Sequence, residues 1–307
     1  MKTRPQTSTT RPRSDHSRAI LWALIAAYTF VLPDVILIYR AIVDRFGKEV
    51  AGKVPVIMVV IVGIAYGAAV VLSRRSLKNL LFLLPSGVIA FLIIKLVENP
   101  NKHIHIPEYI LAAWLLYAVL SRDYRGRGLF ILVFVCATLL GVVDELEQGI
   151  HPKRFYGLSD MIVNSASALI GIFTIMGLKL KRLTARHWAW TTPLKRFKPF
   201  IGLALFGLIG IIITCAYLFR VQASQAIQGV YPAWLMTWNV LYLLSAPIIA
   251  HFGSAHQMKP PIIRGRRSRT EAADTLTARL WIMPLLVILL YMHALAVYIC
   301  GSGMEFN

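Results

Sequence analysis

The feature that most limits what this chain can fold into is its series of apolar runs, each close to a bilayer crossing in length and separated by short polar joints. A helix crossing the hydrocarbon core needs roughly 20 mainly apolar residues. Runs of this kind occupy positions 19–39, 54–73, 80–97, 106–120, 129–148, 159–178, 199–219, 231–252 and 280–300. The run at 106–120 is short, so its start is expected a few residues upstream. Lipid offers no hydrogen bonds to the backbone, so each run has to satisfy its own N–H and C=O groups as a helix. The expected fold is therefore all-α, a polytopic transmembrane bundle of about nine spans. With 57% hydrophobic and only 15% charged residues, an ordinary soluble domain is excluded.

The joints divide the chain further. Residues 1–18 form a basic tail, expected to be disordered and cytoplasmic. Residues 19–53 hold the first span and an outer loop, with Pro33-Asp34 expected to kink the helix near its far end. A core of spans fills 54–178, a basic segment 179–198, and a three-helix extension 199–307. Basic residues concentrate in the tail and in alternate joints, which by the positive-inside rule puts the N-terminus in the cytoplasm. Two cytoplasmic joints are strongly basic. Segment 179–198 mixes Lys and Arg with Trp188 and Trp190, and 253–279 carries Arg264, Arg266, Arg267 and Arg269 as an expected flexible loop. Both suit anionic lipid headgroups. The net charge of +19 does not imply nucleic acid, because no recognition module accompanies it. Cys136, Cys215 and Cys300 sit singly in apolar runs, too scattered for a disulfide framework or a thiolate metal site.

Against this apolar background one polar block stands out: Asp144-Glu145-Leu146-Glu147-Gln148, then Arg154, Ser159, Asp160 and Asn164. It closes the fifth run and opens the sixth, at the outer side of the expected topology. Asp144 and Gln148 are one helical turn apart, as are Asp160 and Asn164, while Ser167 and Gly171 continue the latter face with small residues that allow close helix approach. Carboxylates near a bilayer interior need a partner, a wet cavity or a role. A second block on the same expected side holds Lys102, His103, His105, Glu108 and Tyr109. If the two converge, His105, Asp144 and Glu145 make an acid–base set, the candidate catalytic residues. Arg154, Gln148, Asp160, Asn164, Lys102 and Tyr109 are candidate ligand-binding residues, Arg154 because a guanidinium matches phosphate or carboxylate in a two-pronged way. The same groups could instead ligate a divalent ion, but the His and carboxylate spacing matches no strong metal motif, so no metal ligands and no cofactor are assigned at this level. A structural alternative pairs Asp144 or Glu145 with Arg154 or Lys153, capping the helix hairpin.

These two blocks, Lys102-x-x-His105 with Tyr109 and then Asp144-Glu145-x-x-Gln148 with Arg154, Asp160 and Asn164, resemble the signature of the VanZ-like family of bacterial membrane proteins. The resemblance covers about 54–178 and departs at Ile106, where the family usually has an aromatic. It implies a multi-pass protein of the bacterial inner (plasma) membrane, linked to the cell envelope and to tolerance of the glycopeptide teicoplanin; it implies no particular reaction. The expected function is an outward-facing polar pocket that binds, and could chemically alter, an envelope lipid or lipid-linked cell-wall precursor group. The alternative is a non-catalytic scaffold or accessory subunit whose extension, 199–307, docks a protein partner.

Overall fold

The computed structural model describes residues 15–122, 128–151, 154–183, 198–223, 231–257, 267–303 and 306. Helix α1 (Asp15–Val31) leads through a 3-10 turn (Leu32–Asp34) into α2 (Val35–Phe46). After Gly47, at φ 84°, α3 (Lys48–Leu72) begins. There follow α4 (Leu83–Leu96), α5 (His105–Leu120), α6 (Gly128–Ile150), α7 (Leu158–Leu183), α8 (Lys198–Ala223), α9 (Ala233–Gln257) and α10 (Arg267–Ser302). Short 3-10 turns, Leu77–Phe82 and Pro100–Ile104, lead into α4 and α5. No strand occurs among the described residues, and the fold is an all-α helical bundle.

Among the described residues eight helices are long and apolar enough to cross a membrane, and the chain is a multi-pass membrane protein. The ninth expected run is present as α9, whose apolar part, Ala233–Ile249, is shorter. Pro33 does break the first run, as its missing N–H requires. Helix resumes to Phe46, however, and the outer loop expected up to residue 53 shrinks to a corner at Gly47. Helical structure in the last span begins at Arg267, where the sequence suggested flexible loop; Glu271-Ala272-Ala273 is good helix-forming sequence. The tail up to residue 14, most of the basic segment (184–197), and 258–266 of the polybasic loop lie outside the described residues.

The helices divide by burial. In the spans holding α5, α6 and α7, 67%, 72% and 56% of the most apolar window is buried, against 17% for α3 and 22% for α4. The outer helices turn Ile64, Leu72, Leu84 and Phe91 outward, an apolar girdle that water would not tolerate but lipid accepts. The three central helices are thus walled by protein. Gly171 lets α7 lie against α5: a Cβ there would stand 2.8 Å from Ala113 Cβ and 2.9 Å from the Ile110 carbonyl oxygen. Helices α8, α9 and α10 pack together, and α10 joins them to the centre along α6.

The ends of the bundle are chemically different. At one end lie Arg74, Arg75 and Arg122, the last donating to Ser17 Oγ at the start of α1. At the other meet the turn before α5, the segment between α6 and α7, and Phe306, whose ring packs on Tyr156 with centroids 5.1 Å apart. This second end carries the polar blocks.

Candidate functional site

Three helix ends build the cluster. Helix α5 contributes His105, Glu108 and Tyr109 from its first turns, α6 contributes Asp144, Glu145 and Gln148 from its last two, and α7 contributes Asp160 and Asn164 from its first two. Spacings of three and four put each set on one helix face. Antiparallel packing of α6 against its two neighbours then stacks those faces. Asp144, Glu145 and Asn164 have no solvent exposure, and His105 and Asp160 are buried.

The contacts are specific. The Tyr109 hydroxyl donates to Asp144 Oδ2 at 3.1 Å. The Gly157 N–H, ahead of α7, donates to Glu145 Oε2 at 2.9 Å. His105 Nδ1 lies 3.0 Å from Glu108 Oε2, one turn along α5. Tyr28 of α1 donates to the Glu108 carbonyl at 2.8 Å, tying the first span to the same turn. At the rim, Lys102 Nζ stands 2.7 Å from Asp160 Oδ1 and donates to Ser159 Oγ at 2.8 Å. Arg154 donates to Gln148 Oε1. A ring nitrogen of His105 and a carboxylate oxygen from each of Glu145 and Asp160 lie within 4.8 Å of one another.

All nine candidate residues therefore come to one end of the bundle, in or beside a single cluster. The capping ion pair with Arg154 is not formed: among the described residues neither Asp144 nor Glu145 pairs with a cation, because Arg154 turns to Gln148 and a backbone N–H takes Glu145. Lys153 lies outside the described residues. Asn164 packs on Gly141, where a Cβ would stand 3.0 Å from the Asn164 Cβ, and neither amide atom has a protein partner. His103, grouped with His105 in the sequence, instead donates from Nε2 to the Val97 carbonyl at 3.0 Å and secures the turn.

Several polar atoms in this dry setting have no protein partner: Asp144 Oδ1, Glu145 Oε1, Glu108 Oε1, Gln148 Nε2 and both Asn164 amide atoms. Each such group costs about 1–3 kcal/mol unless something satisfies it. Buried polar atoms are rarely left so, and here they gather in one place. The residues at this end of the bundle are mixed in character. Lys102 and Arg154 are half-buried, while Phe155 and Leu158 are 74% and 54% exposed.

Sequence reasoning missed residues that reach this end from the C-terminal helices. Tyr291 of α10 donates to Glu147 Oε1 at 2.6 Å. Phe306 lies so close to Gly149 that a Cβ there would come within 2.2 Å of its ring. Tyr156 donates to the Cys215 carbonyl at 3.2 Å, and burial raises its phenol pKa, keeping it a donor. Only the unusual glycine at 149, late in α6, hinted at a large neighbour. Away from the cluster, His293 has Nδ1 2.6 Å from Asn239 Oδ1 and Nε2 3.1 Å from the Gly207 carbonyl.

What the fold and cluster define is a class, a multi-pass helical membrane protein with a protein-walled polar cluster near one membrane face. Comparisons with family models, with curated proteins and with solved structures return no match for this chain. The likeness to VanZ-like proteins thus rests on the residues of the two blocks alone.

Proposed function

We propose that the cluster binds the polar headgroup of an envelope lipid or lipid-linked cell-wall precursor, presented from the outer leaflet of a bacterial inner membrane. The observation that carries this reading is the set of buried, partnerless donors and acceptors at the bundle end where Lys102 and Arg154 are half-buried and Phe155 and Leu158 are exposed. Lys102 and Arg154 suit a phosphate or carboxylate, the guanidinium by two parallel hydrogen bonds. Phe155 and Leu158 suit the start of an acyl or polyprenyl chain. Asp144, Gln148 and Asn164 offer both donors and acceptors to hydroxyl or amide groups deeper in. His105, 3.0 Å from Glu108 and adjoining Glu145, would be the group that moves a proton on a bound molecule. The resemblance to VanZ-like proteins extends this reading to glycopeptide tolerance.

The test is lipid retention. Wild type and the variants Asp144→Asn, Arg154→Ala and His105→Ala are purified in mild detergent, and bound lipids are quantified by mass spectrometry. A hydrogen bond to a charged group contributes about 1.5–3 kcal/mol. Arg154→Ala should therefore lose a phosphate-bearing lipid by about tenfold or more, with normal membrane level. Lipid and precursor profiles of a deletion strain should be restored by wild type and not by Asp144→Asn. If all three variants retain lipid like wild type, the cluster is structural and this reading fails.

A further inference from the structure

We infer that His105, Glu145 and Asp160 are the protein ligands of a divalent transition-metal ion, Zn2+ or Mn2+. The inference does not depend on headgroup binding, since a metal can sit here with or without a lipid. Three different helices each supply one ligand, and the three donor atoms already lie within 4.8 Å of one another. In a tetrahedral zinc site donor atoms are about 3.4 Å apart, given metal–ligand bonds of about 2.0–2.1 Å. Small side-chain rotations close that difference.

Four further observations point to a cation. Glu145 is fully buried, gives one oxygen to the Gly157 N–H, and keeps Oε1 without a protein partner. Lys102 and Ser159 both address Oδ1 of Asp160, which leaves Oδ2 for another partner. His105 Nδ1 lies at ion-pair distance from the Glu108 carboxylate, 3.0 Å, without hydrogen-bond alignment, so ligation through Nε2 would leave a carboxylate behind the ring. A carboxylate behind a histidine in this way fixes the ring and raises its basicity, the usual support for a metal-ligating imidazole. Finally, the charges are unequal. Among the described residues, Glu108, Asp144, Glu145 and Asp160 face Lys102 and Arg154 as fixed cations, which leaves two negative charges with a neutral His105. A divalent ion cancels them; the competing solution is protons, on His105 or on the carboxyl groups. An imidazole with two carboxylates suits Zn2+ or Mn2+, whereas Mg2+ and Ca2+ prefer all-oxygen sets.

The experiment measures metal content on the full chain, carrying no polyhistidine tag and purified in detergent. The protein is incubated with ZnCl2 or MnCl2, freed of unbound metal by gel filtration, and assayed by inductively coupled plasma mass spectrometry. Wild type should hold about one ion per chain, and its thermal unfolding should shift upward with Zn2+ or Mn2+, as any ligand of the native state requires. His105→Ala and Glu145→Gln should each lose at least about four-fifths of that metal. His251→Ala, an exposed histidine on α9 far along the chain, should keep it. Should either variant not survive purification, Asp160→Asn supplies the same comparison at the third ligand. The wild-type measurement stands without any variant. No metal in wild type, or full stoichiometry in both His105→Ala and Glu145→Gln, overturns the site. Headgroup binding is judged separately by lipid retention, so either reading can fall alone.

Discussion

At the scale of single residues, the cluster is governed by what an unpaired polar atom costs away from water. Asp144 has one oxygen bonded to Tyr109 and one with no protein partner. Tyr109→Phe removes the first bond and should lower stability by about 1–3 kcal/mol. Replacing Asp144 by Leu in the same background removes the carboxylate that was left unsatisfied, so the double variant should cost less than the sum of the two singles. Thermal unfolding in detergent reads both, and simple additivity would show that the two side chains do not act together. Lys102→Ala should behave differently. Its ion pair with Asp160 is part-exposed, and such pairs contribute about 0–1 kcal/mol. That variant should leave unfolding nearly unchanged while altering what the cluster binds. These residues could be nominated from spacing, but their pairings could not. Arg154 is the clear case: its charge suggested a carboxylate partner, yet it donates to Gln148.

At the scale of elements, the site depends on how closely three helices approach. Gly171 sits where α7 meets α5, with 2.8 Å between its hypothetical Cβ and Ala113 Cβ. Gly171→Leu forces the helices apart and should cost about 1–3 kcal/mol or more, as overpacking does. Gly63→Leu, on the lipid-facing α3 with nothing within 4 Å, should be tolerated. Differential scanning in detergent compares them, and equal losses would contradict a close α5–α7 contact. Small residues at 167 and 171 did announce that contact in the sequence. The helix ends were less legible. A 3-10 turn at Pro100–Ile104 extends the short fourth span, and Gly47 turns the chain where a loop was expected. Both depend on backbone geometry over one or two residues, which hydropathy does not record.

At the scale of the whole molecule, the two ends of the bundle predict an orientation. Phe155, beside the cluster, and Leu77, at the arginine-bearing end, are both exposed, at 74% and 69%. Phe155→Cys should react with a membrane-impermeant maleimide in intact cells, and Leu77→Cys only after permeabilisation, because arginine-rich joints stay cytoplasmic. The opposite labelling would invert the bundle and put the cluster on the cytoplasmic side. The C-terminal helices belong to this scale too. Tyr291 and Phe306 bring them to the site's own end, at Glu147 and Gly149. Gly149→Ala, which displaces the Phe306 ring, should loosen that junction and speed proteolysis near residue 303 while the central helices stay protected.

From the amino-acid order alone came the all-α membrane architecture, the approximate spans, and the identity of the polar residues that need explaining. Length and apolarity dictate helices in lipid regardless of neighbours, and a charge in such a run is conspicuous wherever it packs. Tertiary structure alone decided that His105, Glu145 and Asp160 meet, that Arg154 faces Gln148, and that α10 reaches Glu147. A helical repeat tells which side chains share a face; which faces meet depends on close packing among helices distant in sequence, where a glycine at 171 or a ring at 306 sets the fit.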